Sequence, residues 1–207
     1  MADDLPGTFL VVEGGDGSGK TTVAHTLARE LAARGLRVRL TEEPSPGPVG
    51  VLIRSLLVSG PLSAEVMALL FAADRAHHVD AVIRPALQRG EVVVSSRYVL
   101  SSLAYQGPHV GMERVLTLNA RALKPDLLVF LECPPDVALR RAGAVRALDN
   151  YENHAVATSA ANGYAQALFH LETQGERVAR VDASQDPAQV LGAVLERVLP
   201  LLTRDGK

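Results

Sequence analysis

The sequence predicts a single α/β domain, residues 1–207, in which a five-stranded parallel sheet is flanked by helices on both faces. Strand-like and helix-like stretches alternate from end to end, the pattern of a parallel sheet with helical crossovers. A Gly-rich loop, Gly14-Gly15-Asp16-Gly17-Ser18-Gly19-Lys20-Thr21, joins the first strand to the first helix. The 207 residues are 47% apolar and 21% charged, enough to bury one core, and no repeat, low-complexity tract or linker divides them.

Phe9-Leu10-Val11-Val12 reads as the first strand, and Val23, Leu27 and Leu31 mark one face of the helix that follows. The loop between them is a full match to G-x-x-x-x-G-K-[ST], in the strand, loop, helix context that this motif requires. Glycines allow a tight turn whose N–H groups point at phosphate oxygens, and the helix adds the positive end of its dipole. Lys20 is placed to reach the outer phosphates of a nucleoside triphosphate, and Thr21 to offer its hydroxyl to the accompanying magnesium.

The first helix stops at Gly35, and Val38 to Thr41 is strand two. Glu42-Glu43-Pro44-Ser45-Pro46-Gly47-Pro48 is then a rigid loop at a strand's carboxyl end, where such sheets bind ligands; a plain connector fits as well. Pro48 starts a short helix carrying Ile53, Arg54 and Leu57. Ser63 is an N-cap, with Glu65 in the first turn, for a long helix through Phe71, Arg75 and His78. Phe71 and Arg75 are four apart and share a face, an arrangement suited to a nucleobase. By spacing alone, a core Phe beside a surface Arg is the simpler reading. Pro85 begins or kinks a further helical segment, which Gly90 closes.

Glu91 to Ser95 is strand three and runs into Ser96-Arg97-Tyr98 and on to Gly107, a polar, aromatic-containing segment where a second ligand would meet the first. A helix from Gly111 to Leu123, a turn at Lys124-Pro125-Asp126 and strand four, Leu127 to Glu132, follow. The turn lacks the Asn or Thr before Lys of a guanine-recognition sequence, which speaks against a GTPase. A helix from Pro135 carries Arg140 and Arg141 into small residues punctuated by Arg146, from about 142 to 150. That stretch has the character of a mobile lid over phosphates, or of a solvated loop. Asp149 caps a long helix reaching Thr173, Val178 to Val181 is strand five, and Pro187 to Leu202 is the last helix.

A net charge of -2 gives no sign of a nucleic-acid or membrane partner. Cys133, the single cysteine, excludes an internal disulfide and reads as buried filler. The N-terminus is acidic where a signal peptide would be basic, and no apolar run approaches membrane-spanning length, so a cytoplasmic location is expected.

Five stretches carry a family likeness: Glu13 to Thr22 with its internal Asp16, Glu43-Pro44, Leu70 to His78, Arg97 to Gly107, and Asp149-Asn150-Tyr151-Glu152. Together they resemble the thymidylate kinase family, of P-loop NTPase fold and nucleoside monophosphate kinase type, over roughly Phe9 to Leu201. The resemblance implies in-line transfer of the γ-phosphoryl group of ATP to dTMP, giving dTDP, with Mg2+ as cofactor and a homodimer as the assembly. It implies that ATP sits on Gly14, Gly15, Asp16, Gly17, Ser18, Gly19, Lys20, Thr21 and Thr22. Phe71 would stack on thymine, Arg75 would reach its exocyclic oxygen, and Ser101 and Ser102 would lie at the base edge. Tyr105 would pack on the deoxyribose, Asp16 would take the 3′-hydroxyl, and Arg97 would bridge the two phosphates. Arg54 would meet the acceptor phosphate and Tyr151 the sugar or base from the lid; Glu43, Pro44 and Gln106 complete the acceptor set. The loop's variable positions hold no basic residue, so Arg141 and Arg146 of the lid join Lys20 and Arg97 as catalytic cations.

Two departures stand out. The family usually has Asp where this chain has Ser96, and a hydroxyl is a poor substitute for a carboxylate beside magnesium. The metal would then rest on Thr21 and the phosphates, with Asp16, Glu13 or Glu152 as further candidates, and turnover would be slower or need more metal. Glu42 stands where Arg is common, and Ser45-Pro46 where two glycines are usual. Two other readings stay open: a kinase for another deoxynucleotide or nucleoside, and a relative that binds nucleotides without catalysis. Retention of Lys20, Arg97, Phe71, Arg75 and Tyr105 argues against the last.

Overall fold

The computed structural model describes residues 5–60, 62–143 and 150–202. Every residue of β1 (Thr8–Glu13) is buried. Phe9 and Val11 enter one apolar core while Leu10 and Val12 enter the other, the period of two expected of a strand covered on both faces. Full burial of such side chains contributes about 1.5–3 kcal/mol each, so β1 is the natural centre of the sheet. Around it lie β2 (Val38–Glu42), β3 (Val92–Ser96), β4 (Leu127–Glu132) and β5 (Val178–Asp182), in the order β2-β3-β1-β4-β5 with every pairing parallel.

One face is covered by α1 (Lys20–Ala33) and α10 (Pro187–Leu202), through Val23, Leu27, Leu31, Val190, Val194 and Val198. Between β2 and β3 run α2 (Pro48–Ser59), α3 (Ala64–His78), a π-helical turn (Val79–Ile83) and α4 (Arg84–Gln88). Between β3 and β4 run α5 (Val99–Tyr105), α6 (Gly107–Val110) and α7 (Met112–Leu118). α8 (Pro135–Gly143) and α9 (Asn150–Thr173) precede β5. The second core gathers Ile83, Leu100, Leu103, Val115, Phe130 and Leu168 from these elements.

The α/β architecture and the five strands match expectation, and Ser63 caps α3 by accepting the Val66 N–H. Pro85 has no N–H to continue the ladder from α3, and a widened π turn bridges the gap before α4. The helix expected from Gly111 to Leu123 ends at Leu118: Asn119 turns its side-chain amide back onto the Val115 carbonyl, 2.8 Å away, in competition with the helical ladder. Cys133, just after β4, is half-buried and packs against the core that holds α1 and α10. Among the described residues, no helix is long and apolar enough to cross a membrane.

Candidate active site

The loops after β1, β2 and β3 converge at the carboxyl edge of the sheet, the usual ligand edge of such folds. In the first, Gly14, Gly17 and Gly19 have φ of 152°, 80° and 87°, which side-chain-bearing residues rarely adopt. A Cβ on Gly17 would also strike the Ala138 backbone of α8, so glycine lets that helix close over the loop. Lys20, almost wholly buried, folds back to donate to the Gly15 carbonyl at 3.1 Å and to Asp16 Oδ1 at 3.2 Å. Burial and then Arg97 push the Lys20 pKa down against the pull of Asp16. The Asp16 carboxyl is held below its ordinary value because Arg97 and Lys20 together outweigh the partial desolvation that opposes them. Thr21 and Thr22 are exposed at the start of α1.

Arg97 follows β3 with φ 70°, a left-handed conformation that costs a non-glycine residue about 1–3 kcal/mol. Two hydrogen bonds hold it there: its N–H donates to the Val12 carbonyl at 3.0 Å, and Ser95 Oγ donates to its carbonyl at 2.9 Å. Its guanidinium donates to Asp16 and, at 3.1 Å, to Ser101 Oγ, and it lies over the Tyr105 ring. Glu13, fully buried at the end of β1, accepts the Tyr98 N–H at 2.7 Å, the Ser101 N–H at 3.0 Å and the Ser101 hydroxyl at 2.8 Å. Burial pushes the Glu13 carboxyl up, only partly offset by Arg97, Ser101 and Tyr98. Glu13 therefore ties α5 to β1, and the suggestion that it helps hold magnesium is corrected: its oxygens are already engaged.

The loop after β2 is anchored from α3. Arg75 is 2% exposed and donates to Glu43 Oε2 at 2.7 Å, to Ser102 Oγ at 3.1 Å and to Asn119 Oδ1, with the Tyr98 ring beneath it. His78 bridges Glu43 Oε1 at 3.2 Å and Thr41 Oγ1 at 2.7 Å, and Asp74 accepts both the N–H and the hydroxyl of Ser45 at 2.6 Å. Phe71 is half-buried and belongs to neither core. The simpler reading of that spacing thus inverts, since the Arg is buried and the Phe is not in the core.

Most of the expected site residues lie among the described ones. Asp16, Lys20, Arg97, Ser101 and Tyr105 come together where the first and third of these strand-end loops meet, with the Tyr105 hydroxyl 3.4 Å from Asp16. Glu43, Arg75 and Ser102 form the buried group, and Gln106 is buried at the end of α5 with Oε1 unpartnered. Arg54 is not free beside the loop: it donates to the carbonyls of Ser45, at 2.7 Å, and Pro44, and to Glu42 at 3.2 Å. Glu42 thus neutralises the one cation of α2. Arg141 is not turned to the phosphate loop either. It donates to the carbonyls of Ala183 at 2.7 Å and of Ser184 and Gln185 at 3.4 Å, because one helical turn carries it from Ala138 toward the loop after β5. Arg146 and most of the expected lid lie outside the described residues, as do the side chains of Tyr151 and Glu152 in α9.

Tyr164 of α9 is in the site without any sequence signal. Its hydroxyl donates to the Gly14 carbonyl at 3.1 Å, and its ring packs against Tyr105 and Phe130. Asn119 is a second such residue.

A phosphate loop, a cation clamp, a buried arginine and a half-buried aromatic thus lie on the segments at or next to the carboxyl edge of the sheet. The thymidylate kinase family model matches residues 12–194. The chain belongs to the thymidylate kinase family. It is a nucleoside monophosphate kinase, a phosphotransferase. The thymidylate kinase of Xanthomonas oryzae pv. oryzae strain PXO99A is 41% identical over 186 residues, 89% of this chain and 80% of that protein. That of Xanthomonas campestris pv. campestris strain B100 is 39% identical over the same spans. The probable thymidylate kinase of Thermococcus kodakarensis is 46% identical over 143 residues, 64% of this chain and 70% of that protein.

Proposed function

We propose that this member of the family transfers the γ-phosphoryl group of ATP to the phosphate of dTMP, giving ADP and dTDP. The observation that carries the reading is the clamp formed by Asp16, Lys20 and Arg97 between the phosphate loop and the segment after β3. Two anionic reactants meet there, so the chemistry is positioning and charge neutralisation. Lys20 neutralises the outer phosphates of ATP, and Arg97 lies between donor and acceptor phosphates. Asp16 holds both cations in place until the phosphates arrive, and its exposed carboxylate accepts the sugar 3′-hydroxyl. Tyr105 packs on the deoxyribose, Phe71 stacks on the base, and Arg75, braced by Glu43, addresses the base edge with Ser102.

Magnesium fits this site as a cation carried in with ATP. Thr21 offers an exposed hydroxyl beside Lys20, and among the described residues no group of three or more His, Cys, Asp or Glu forms an all-protein site. Bound there, it supplies neutralisation of the β- and γ-phosphates. Ser96, buried at the end of β3, leaves the protein's share of the metal site weak. A magnesium titration of turnover should be left-shifted by Ser96→Asp; superimposable curves would remove Ser96 from the account.

The homodimer reading is supported by α2 and α3, which expose Val51, Leu52, Leu57, Val58, Val66 and Leu69, with Val58 at 89%. Light scattering should give twice the chain mass, and Val58→Asp should halve it. The reaction itself is tested by ADP release with ATP and magnesium against dTMP, dUMP, dCMP, dGMP, ribo-TMP and thymidine. Selective turnover of dTMP is expected, and equal turnover of all six would refute the base pocket.

A further inference from the structure

We infer that Tyr164 is a positioning residue for phosphoryl transfer, its one buried hydroxyl holding the phosphate-loop backbone and Arg97 in register. The inference rests on the reading of Lys20 and Arg97 as the phosphate cations. Tyr164 is 2% exposed and reaches three groups: the Gly14 carbonyl at 3.1 Å, Ser101 Oγ at 3.1 Å and Arg97 Nη1 at 3.5 Å.

The protons can be accounted for. A phenol has one proton and two lone pairs. Ser101 gives its single proton to Glu13 Oε2, so it cannot donate to Tyr164. Tyr164 gives its proton to the Gly14 carbonyl, and Arg97 Nη1 then donates to both Ser101 Oγ and Tyr164 Oη. One oxygen is thus an acceptor for the arginine and a donor to the loop.

Both ends need this tether. Gly14 has no side chain and sits at φ 152°, so nothing local fixes its peptide. That peptide is planar and trans, so its carbonyl and the Gly15 N–H point opposite ways. Holding the carbonyl on the buried phenol therefore fixes the Gly15 N–H to point away from Tyr164. Arg97 is strained at its backbone and depends on side-chain partners for its aim. Reaching both places needs α9 hard against α5: a Cβ on Gly163, the residue before Tyr164, would strike the Ala104 carbonyl. Glycine at 163 is therefore part of the same device.

The test is Tyr164→Phe, which keeps the ring packed on Phe130 and Tyr105 and removes only the hydroxyl. We expect kcat to fall roughly 10- to 100-fold, as for a small misplacement of catalytic groups, with both KM values changed less than kcat and thermal unfolding little altered. Ser101→Ala should also slow turnover, and the double variant should lose no more than the worse single one, because both hydroxyls act through Arg97. A kcat within twofold of wild type, or losses that multiply in the double variant, would overturn the inference. If Tyr164→Phe does not fold, a fluorotyrosine at 164 decides, having the same shape and a more acidic phenol. Glu13, Arg97 and Tyr105 are the titratable groups facing it, and burial followed by Glu13 holds the native phenol un-ionised. Loss of the proton to Gly14 should bring the alkaline fall of kcat to lower pH than in wild type, and coincident profiles would contradict the role. If wild type turns over none of the acceptors, the underlying reading fails, whatever Tyr164 does.

Discussion

The two halves of the site are built in opposite ways. Around Arg75 the polar groups are buried and mostly paired with one another: Glu43, Ser45, Asp74, Arg75 and His78 are all at most 4% exposed, with Arg75 Nε left without a partner. Around Lys20 and Arg97 the shared counter-ion, Asp16, has a side chain 69% exposed. A buried network is rigid because breaking any member leaves a charge or donor unpaired. An exposed carboxylate is exchanged at little cost for an incoming phosphate. On the proposed reading, the buried group is therefore suited to discriminating the base and the exposed clamp to neutralising the phosphates.

The comparison is broken most severely at the clamp. Arg97→Ala should lower kcat by on the order of 10³-fold or more, the scale of arginines in related phosphoryl transfer, with thermal unfolding hardly changed. Steady-state turnover and a melting curve check both parts. Glu43→Ala should do the reverse, destabilising the fold by about 3–5 kcal/mol because Arg75 is left buried without its partner. Urea unfolding measures this, and a loss below about 1 kcal/mol would mean that the network is not rigid. Glu42→Gln is a smaller cut. The Arg54 pair is exposed on both sides, so stability should change by under about 1 kcal/mol, while the KM for dTMP falls as Arg54 loses its carboxylate. The smallest effect is at Glu13. Its folded pKa lies above the ordinary 4.5, so the protonated form is favoured by folding and that stability is lost as pH rises from 4.5 through the folded value. Melting temperatures of wild type relative to Glu13→Gln should therefore decline across that window, and a flat difference would remove the burial effect.

What sequence reasoning reached follows the range of the interactions involved. The phosphate loop, the caps at Gly35 and Ser63 and the alternation in β1 are local, so spacing and residue type reveal them. The burial of Arg75 is not local: spacing puts it on the face of Phe71, but its partners Ser102 and Asn119 are 27 and 44 residues away. Tyr164 lies 150 residues from Gly14 on a helix of weak amphipathic pattern. The family likeness supplied Arg75 its place but offered nothing for Tyr164 or Asn119. Arg54 reads as a phosphate cation from the family likeness and Arg141 from the lack of a basic residue in the phosphate loop, whereas the carbonyls that engage them lie on other loops.

The most direct measurement compares Arg75→Lys with Arg97→Lys on dTMP, dUMP and dCMP, since lysine keeps the charge and removes only the planar fork. Arg97→Lys should lower kcat/KM for all three acceptors in proportion, and Arg75→Lys should draw the three values together while costing dTMP the most. Uniform loss from Arg75→Lys with altered selectivity from Arg97→Lys would contradict the division of labour between the two sides.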